Sequence, residues 1–263
     1  ARVMGGLNAT PGALSAGGRG LDLAEAVEQA ARMVEEGAGV VDVGGESTRP
    51  GAPEGSLQEE LERVSPAVEG LSRELPVPVS VDTSKPEVMG EAVKAGAGMI
   101  NDVWALRRPG ALRAAAASGV PVCLMHMRGE PRSMQANPRY TDVVTEVEAF
   151  LAERISACIE AGMPRSRLLA DPGFGFGKTL EHNLTLLKHL ERFIGLGVPL
   201  LVGMSRKSMI GTLLDDAPVS QRLHGSVAAA TLAGWLGASL VRAHDVRPTI
   251  DALRICTAVR EAS

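Results

Sequence analysis

The chain has 263 residues and a formal net charge of -4, and 45% of its residues are hydrophobic but only 3% are aromatic. A chain of this length can bury a sizeable core within one domain. Basic and acidic residues are interspersed, which argues against nucleic-acid and membrane partners, and no apolar run approaches the roughly 20 residues of a membrane span. Cys123, Cys158 and Cys256 stand far apart with no C-x-x-C pair, as expected for buried thiols in a reducing compartment. We therefore expect a soluble, cytoplasmic protein.

Eight short apolar runs predict strands, in chain order at Val3–Leu7, Val40–Val43, Val77–Val81, Met99–Asn101, Pro121–Met125, Leu168–Ala170, Pro199–Val202 and Ser239–Val241. Helical patterns alternate with them, at Leu23–Glu36, Leu57–Glu74, Pro86–Lys94, Gly110–Ala117, Val143–Ala161, Leu180–Phe193, Gln221–Leu236 and Pro248–Val259. Strands that alternate with helices of about 10–15 residues predict right-handed βαβ units and a parallel sheet. The expected fold class is therefore α/β, a (β/α)8 TIM barrel in which residues 1–263 form a single domain.

Five of the apolar runs stop on polar residues, at Asp42, Asp82, Asn101–Asp102, Asp171 and Arg242–His244. A single such Asp would be explained as the cap of the following helix. Five at equivalent places predict one shared pocket, because the carboxyl ends of parallel barrel strands meet on one face, where the active sites of such barrels lie.

One glycine-rich segment, PGFGFGKT at 172–179, superficially matches the phosphate-binding pattern G-x-x-x-x-G-K-[ST]. Pro172 stands where the first glycine should be, and it has no N–H to offer a phosphate. Phe174 and Phe176 would also crowd a loop whose use depends on close approach of the backbone. We therefore do not interpret the segment as a nucleotide-binding loop.

The same segment begins the strongest resemblance in the chain, since DPGFGFGK at 171–178 is similar to a motif of the dihydropteroate synthase family, pterin-binding barrel enzymes of folate biosynthesis. Further motifs resemble the family in its own order: LNATP at 7–11, DVGGESTRPG at 42–51, SVDTSKP at 80–86, INDV at 100–103, MHMRG at 125–129, MQANP at 134–138, GMSRKS at 203–208, HGSV at 224–227 and RAHDV at 242–246. Each motif is weak alone, but together they span nearly the whole chain.

The resemblance implies the condensation of 6-hydroxymethyl-7,8-dihydropterin diphosphate with p-aminobenzoate, which yields 7,8-dihydropteroate and diphosphate. Four residues stand where the family binds the pterin ring: Asp82, Asn101, Asp171 and Lys207. Two carboxylates, an amide and an ammonium complement an edge with paired N–H donors and carbonyl acceptors. Taken singly, each aspartate could be only a helix cap and the lysine only a solvated surface residue.

The resemblance also implies a site for the diphosphate. Arg242 and His244 lie two residues apart on one strand end, so their side chains point to the same side, and Thr48 and Arg49 match family contacts to the diphosphate and the benzoate. Asn8 matches the family ligand of Mg²⁺, a cation that takes oxygen ligands and keeps part of its water shell.

Phe176 and Ser208 match positions that line the p-aminobenzoate site, and the family implies a homodimer. Because the aryl amine is a weak nucleophile, the implied mechanism is departure of the diphosphate to leave a delocalised pterin cation. The expected catalytic residues are Arg242, His244, Lys207 and Arg49. They can neutralise the leaving diphosphate or hold the pterin cation in place. No role in a metal site is assigned to His126, His182, His189 or His224, which have no metal-ligand spacing.

The first loop departs from the family pattern. Where the family reads NVTPDSFSDGG, this chain reads NATPGALSAGG at 8–18, so that Gly12 and Ala16 replace acidic residues and Leu14 replaces an aromatic one. A catalytically weakened pterin-binding paralogue is therefore an alternative. A methyltetrahydropterin-dependent methyltransferase on a related barrel is another, although such an enzyme would not need the diphosphate-binding residues.

Overall fold

The computed structural model describes residues 1–8, 23–46, 55–131 and 133–262. Eight parallel strands form the sheet: β1 Arg2–Asn8, β2 Val40–Gly44, β3 Val79–Asp82, β4 Met99–Asp102, β5 Val122–Met125, β6 Leu168–Asp171, β7 Leu201–Val202 and β8 Leu240–Ala243. Their order is β6-β5-β4-β3-β2-β1-β8-β7, and a parallel bridge between Ala170 and Leu200 brings the two edge strands together. The predicted (β/α)8 barrel is therefore confirmed.

Nine α-helices surround the barrel: α1 Leu23–Glu35, α2 Leu57–Glu74, α3 Pro86–Lys94, α4 Ala111–Ser118, α5 Val143–Glu160, α6 Leu180–Lys188, α7 Ser208–Leu213, α8 Leu223–Trp235 and α9 Val246–Arg260. This count covers the described residues. None of these helices combines the length and the apolar character needed to cross a membrane.

Local chemistry explains why several helix boundaries agree with the prediction. The side chain of Ser56 accepts a hydrogen bond from the Glu59 N–H, and the Glu59 carboxylate accepts one from the Ser56 N–H, so α2 begins with a complete capping box. Pro86 starts α3 in the first turn, where its missing N–H costs nothing. Gly37 and Gly96, which follow α1 and α3, take positive φ values, as is typical of glycines that end helices.

The helices of the structure differ from the prediction in two places. The region predicted as one helix from Leu180 to Phe193 is α6 followed by a 3-10 segment at Leu190–Leu196, because the backbone leaves helical geometry at His189. The six-residue helix α7 was not predicted, since a helix of fewer than two turns shows too little periodicity to read.

Strand alternation divides the barrel residues into two sets. Outward side chains such as Val41, Val81 and Ile100 belong to the large core between the strands and the helices. Inward side chains at the amino-terminal level form a separate apolar cluster of Met4, Met99, Cys123, Leu201 and Leu240. Two residues further along β4 and β8, the inward positions are the polar Asn101 and Arg242. Together with Asp42, Asp82 and Asp171 they form a polar level, which is the floor of the candidate site.

Candidate active site

The carboxyl ends of β2, β4 and β8 bring three side chains into direct contact inside the barrel. The Arg242 Nε donates a hydrogen bond to Asp42 Oδ2 at 2.7 Å, and the Asn101 Nδ2 donates to the same oxygen at 3.3 Å. Asp42 is fully buried, and its other oxygen has no hydrogen-bond partner among the described residues. The base of the site therefore contains a buried carboxylate oxygen that can still accept a hydrogen bond.

Register explains how Arg242 reaches Asp42 across an intervening strand. β1 lies between β8 and β2, with Met4 paired to Arg242 and Gly6 paired to Asp42. A Cβ atom placed on Gly6 would lie 3.0 Å from Cζ of Arg242. Glycine therefore leaves the guanidinium its path over the strand, whereas a larger residue would require it to shift by a few tenths of an ångström.

Asp82 continues the cluster at the end of β3. Its Oδ2 lies 4.0 Å from an Arg242 guanidinium nitrogen, and its side chain is 13% exposed. Burial and the neighbouring Asp42 carboxylate raise the pKa of Asp82 from 3.8 to about 8, although Arg242 favours the charged form. For Arg242, burial opposes the charge, but Asp42 and Asp82 outweigh it, so that its pKa is raised and it stays cationic.

Asp171 and Lys207 form the opposite side of the cluster. Asp171 Oδ1 accepts a hydrogen bond from the Gly173 N–H at 2.7 Å, and burial raises the pKa of Asp171 despite the attraction of Lys207. The Lys207 Nζ donates to the Phe174 carbonyl at 2.6 Å and lies 4.7 Å from the centre of the Phe176 ring. Burial lowers the pKa of Lys207 to about 8, against the opposing effect of Asp171.

The loop after β7 and the end of β8 form a more open cluster. The Oγ of Ser205 accepts a hydrogen bond from the His244 N–H at 3.1 Å and lies 3.0 Å from His244 Nδ1. Next to it, the Arg206 guanidinium makes two hydrogen bonds to the carboxylate of Asp245, at 2.9 and 2.5 Å. Burial and the nearby Arg242 lower the pKa of His244 to about 4, so that its imidazole is neutral at pH 7. It can therefore donate one hydrogen bond but carries no charge before a ligand binds.

The remaining predicted site residues fall into two groups. Phe176 contacts Lys207, Ser208 is exposed at the first position of α7, and Asn8 ends β1 with an exposed side chain. Thr48 and Arg49 lie outside the described residues, as do Gly12, Leu14 and Ala16 of the unusual first loop. The described predicted residues thus all lie at the carboxyl face of the barrel.

Two parts of this face were not assigned a role from the sequence. Asp42 was noted only as a polar residue at a strand end, and its contact with Arg242 joins residues 200 positions apart in the chain. After the end of β3, Lys85 pairs with Glu46 at 2.8 Å and with the buried Glu60 at 2.6 Å. From the sequence, a lysine just before a helix would be interpreted as a surface residue. Glu46 also accepts a hydrogen bond from the Gly55 N–H at 2.7 Å, which ties together the two ends of the β2–α2 connection.

The glycine-rich segment does not have the contacts of a phosphate-binding loop. Lys178, which would bind phosphates in such a loop, is only 3% exposed. Its Nζ donates hydrogen bonds to the carbonyl oxygens of Gly173 at 2.8 Å and Phe176 at 3.0 Å. The amine is thus occupied within the protein, in agreement with the interpretation from the sequence.

Among the described residues, the donor chemistry fits magnesium but does not form a site built mainly from protein ligands. Within the described part of the chain, no three His, Cys, Asp or Glu residues form a group that could hold a metal ion. Asn8 offers one amide oxygen at the carboxyl end of β1. A hard cation that binds one such oxygen and otherwise phosphate oxygens and water fits this arrangement.

Comparisons with known proteins agree with this geometry. The family model described as "Pterin binding enzyme" matches residues 4–244. The chain is 53% identical over 260 residues to the dihydropteroate synthase of Escherichia coli (strain K12), with 99% of this chain and 92% of the relative covered. The dihydropteroate synthase of Haemophilus influenzae is 49% identical over 261 residues, with 99% and 94% covered.

Solved structures of similar proteins include ligand complexes. A Xanthomonas albilineans dihydropteroate synthase with 4-aminobenzoic acid has a TM-score of 0.94 at 53% identity, with 100% of this chain and 94% of that chain covered. The same organism's enzyme in complex with 7,8-dihydropteroate has a TM-score of 0.91 at 50% identity, again with 100% and 94% covered. Similarity of this extent applies to the whole barrel and not only to its strands.

Proposed function

Because this chain belongs to the pterin-binding enzymes, and among them to the dihydropteroate synthase family, we propose that it joins 6-hydroxymethyl-7,8-dihydropterin diphosphate to p-aminobenzoate. In this reaction the methylene carbon loses diphosphate and bonds to the aryl nitrogen, which releases a proton. The products are 7,8-dihydropteroate and diphosphate. We assign this activity to one pterin-binding barrel domain, residues 1–263.

One observation carries the proposal: five polar side chains with complementary chemistry converge at the inward ends of five strands, at Asp42, Asp82, Asn101, Asp171 and Arg242. We propose that Asp82, Asn101, Asp171 and Lys207 bind the amino-pyrimidinone edge of the pterin. A charge-assisted hydrogen bond, from Lys207 or to an ionised carboxylate, contributes about 1.5–3 kcal/mol. A neutral aromatic ligand without donors would leave these buried groups unpaired.

The leaving diphosphate requires positive charge and hydrogen-bond donors. We assign this role to Arg242, whose paired carboxylates keep it charged, and to His244, together with Thr48 and Arg49 of the β2–α2 connection. Asn8 would hold Mg²⁺ together with phosphate oxygens and water, and the bound cation would neutralise charge on the leaving group. Arg242 and His244 remain fixed by Asp42 and Ser205, so they need little reorganisation when charge develops.

We assign the p-aminobenzoate subsite to Phe176, Lys207, Ser208 and Arg49. The Phe176 ring can pack against the aryl ring, and Lys207 offers a cation beside it. No carboxylate needs to act as a base in this scheme, because the pterin cation accepts the amine before the proton is lost. The work of Arg242, His244, Lys207 and Arg49 is then to position the reactants and to stabilise charge.

We further propose a cytoplasmic homodimer. The three cysteines are free and buried, which fits a reducing compartment. Helices α8 and α9 pack on each other and present apolar side chains to solvent, among them Leu232, Trp235, Ile255 and Val259 at 50–68% exposed. A second copy covering this face would remove that apolar surface from water. Sedimentation equilibrium should give twice the mass of one chain, and Trp235→Glu should give a monomer.

An activity assay tests the proposed reaction. The purified protein is incubated with the pterin diphosphate, Mg²⁺ and p-aminobenzoate, and diphosphate and 7,8-dihydropteroate are measured. Product that forms only when both substrates are present supports the proposal, and Asp171→Ala serves as the impaired control. Tight binding of the pterin diphosphate without turnover would identify a weakened paralogue. Methyl transfer from a methyltetrahydropterin, without diphosphate release, would identify a methyltransferase.

The unusual first loop gives a second, independent test. Gly12→Asp, Leu14→Phe and Ala16→Asp together restore the family residues there. If the missing groups limit the reaction, the triple variant should raise kcat and leave the affinity for the pterin diphosphate unchanged, since binding shared by ground and transition states does not raise the chemical rate. A folded triple variant with the same kcat as the parent would mean that the loop substitutions are tolerated variation.

A further inference from the structure

The glycine-rich segment between β6 and α6 packs directly on the backbone that follows β5. Gly173 has φ +71°, and a Cβ atom there would lie 1.9 Å from the carbonyl oxygen of His126. Gly177 has φ +64°, and a Cβ there would lie 2.2 Å from the carbonyl oxygen of Arg128. The repeated glycines therefore serve close contact between two loops.

Lys178 lies at the centre of this contact. The chain from Gly173 to Phe176 turns around its Nζ, which donates to both carbonyl oxygens and lies 2.9 Å from His126 Nδ1. The imidazole of His126 is buried and packs edge-on against Phe150, 4.9 Å between ring centres. Burial lowers the pKa of Lys178 well below its usual value, and burial together with the Lys178 charge lowers that of His126 to about 2.

Three further hydrogen bonds hold the same segment from its other sides. The Tyr140 hydroxyl donates to the Gly177 carbonyl at 2.8 Å, and the Gln135 amide donates to the Gly175 carbonyl at 2.5 Å. The Gly175 N–H donates to Asn183 Oδ1 at 2.8 Å. Each of these bonds uses the backbone of the segment.

The segment, so fixed, forms one side of the subsite proposed for p-aminobenzoate. Its Phe174 carbonyl accepts the hydrogen bond from Lys207, and its Phe176 ring lies beneath the Lys207 ammonium. A shift of the segment would move the ring and the lysine's acceptor together. Asp82, Asn101 and Arg242 belong to other strands and would not move with it, so of the proposed pterin contacts only Asp171 and Lys207 touch the segment.

We propose that Lys178 is a positioning residue for the aryl-amine half of the reaction: with His126, its buried amine sets the position of Phe176 and of the carbonyl that orients Lys207. This inference rests on the proposed function. It gives the lysine of the apparent phosphate-binding motif a different role, in which it binds backbone carbonyls and orients the second substrate.

The test compares Lys178→Met with Lys188→Met. The first substitution keeps most of the side-chain length but removes the donors, and the second makes the same change at an exposed position of α6. We expect Lys178→Met to raise the KM for p-aminobenzoate by about tenfold or more, because small displacements of a positioning contact have large effects. The Kd for the pterin diphosphate should change by less than about threefold, the effect of one weakened hydrogen bond. Lys188→Met should match the parent in both.

A merely structural role would give a different pattern. Equal weakening of both substrates, or a lowered melting temperature with both constants unchanged, would overturn the inference. If Lys178→Met fails to fold, Tyr140→Phe provides the test instead. It removes one hydrogen bond to the segment and should raise the KM for p-aminobenzoate by about threefold. An unchanged KM in folded Tyr140→Phe would then overturn the inference.

Direct binding separates this inference from the proposed reaction. Titration of p-aminobenzoate into the protein loaded with pterin and diphosphate measures the subsite without turnover. If the parent binds p-aminobenzoate but forms no product, the proposed reaction fails, and weaker binding by Lys178→Met still supports the inference. If the parent forms product and both proteins bind p-aminobenzoate equally, the inference fails and the proposed reaction stands.

Discussion

Two levels of the barrel interior, only two residues apart along the strands, have opposite chemistry. At the amino-terminal level the inward side chains form the apolar cluster of Met4, Met99, Cys123, Leu201 and Leu240. At the carboxyl level they include five charged or polar residues, Asp42, Asp82, Asn101, Asp171 and Arg242. Because inward positions recur every second residue, Met99 and Asn101 lie about 7 Å apart on one strand, as do Leu240 and Arg242.

The difference separates two tasks that a barrel interior can perform. The apolar level fills the interior and contributes to stability by burial. The polar level removes charges from water, which raises the pKa of Asp82 and Asp171 and lowers that of Lys207. Such burial opposes folding unless the groups are paired, so the polar level is built for ligand binding and depends on the stability supplied by the rest of the core.

The largest effect is expected where the polar level also has a structural role. Asp42→Ala leaves Arg242 without its buried partner, and we expect the free energy of unfolding to fall by about 3 kcal/mol, the low end for breaking a buried pair. The low end of the range applies because 27% of the Arg242 side chain is exposed. Urea denaturation measures the loss. Glu28→Ala, which breaks the exposed pair with Arg32, is the control and should cost less than about 0.5 kcal/mol.

At the apolar level, truncation should affect stability alone. Leu201→Ala is expected to lower the free energy of unfolding by about 2.5 kcal/mol, because it opens a cavity at a side chain that is 1% exposed. The affinity for the pterin diphosphate should stay within twofold, about 0.4 kcal/mol. Leu184→Ala on the exposed side of α6 is the matched control for stability. A large loss of affinity in folded Leu201→Ala would contradict the separation of the two levels.

Asp171→Ala should show the reverse pattern. The pterin N–H groups that we assign to Asp171 would have no acceptor, so the pterin should bind about 2 kcal/mol more weakly by calorimetric titration. The free energy of unfolding should change less than in Leu201→Ala, since the removed carboxylate is itself costly to bury. Unchanged affinity would remove Asp171 from the pterin site. Asp251→Ala on α9 serves as an exposed control.

Arg242→Lys tests whether Arg242 binds the diphosphate group of the ligand. Lysine keeps the charge but loses the planar fork, so binding of the pterin diphosphate should weaken about tenfold more than binding of the pterin without diphosphate. Both affinities are measured by calorimetry on the same preparation. Equal losses for the two ligands would mean that Arg242 acts on the site only through Asp42.

A separate test of the polar level concerns pH. The folded-state pKa of Asp82, about 8, exceeds its ordinary 3.8, so the folded protein holds a proton that the unfolded chain releases. The stability from this proton is complete below pH 3.8 and is lost as pH rises through 8. Asp82→Asn should therefore make the free energy of unfolding fall less steeply from pH 4 to 8 than in the parent, with Asp251→Asn as the control. Parallel curves for Asp82→Asn and the parent would contradict the raised pKa.

Local chemistry made much of the fold predictable. The limits of α2 and α3 follow from the Ser56–Glu59 capping box and from Pro86, which act within one turn of the chain. The separation of α6 from the 3-10 segment at Leu190–Leu196 was not predictable in this way, because apolar residues continue through the break. Helix α7 was missed because six residues carry almost no periodic signal.

The sequence by itself determined the alternation of strands and helices, the placing of polar residues at strand ends, and the family motifs that imply a pterin site. These features depend on residue type and spacing within short segments. Only the tertiary structure decided that Arg242 crosses Gly6 to reach Asp42, that His244 is neutral, and that Lys178 binds loop carbonyls. Such outcomes depend on burial and on contacts between residues as many as 200 positions apart, which local sequence patterns do not encode.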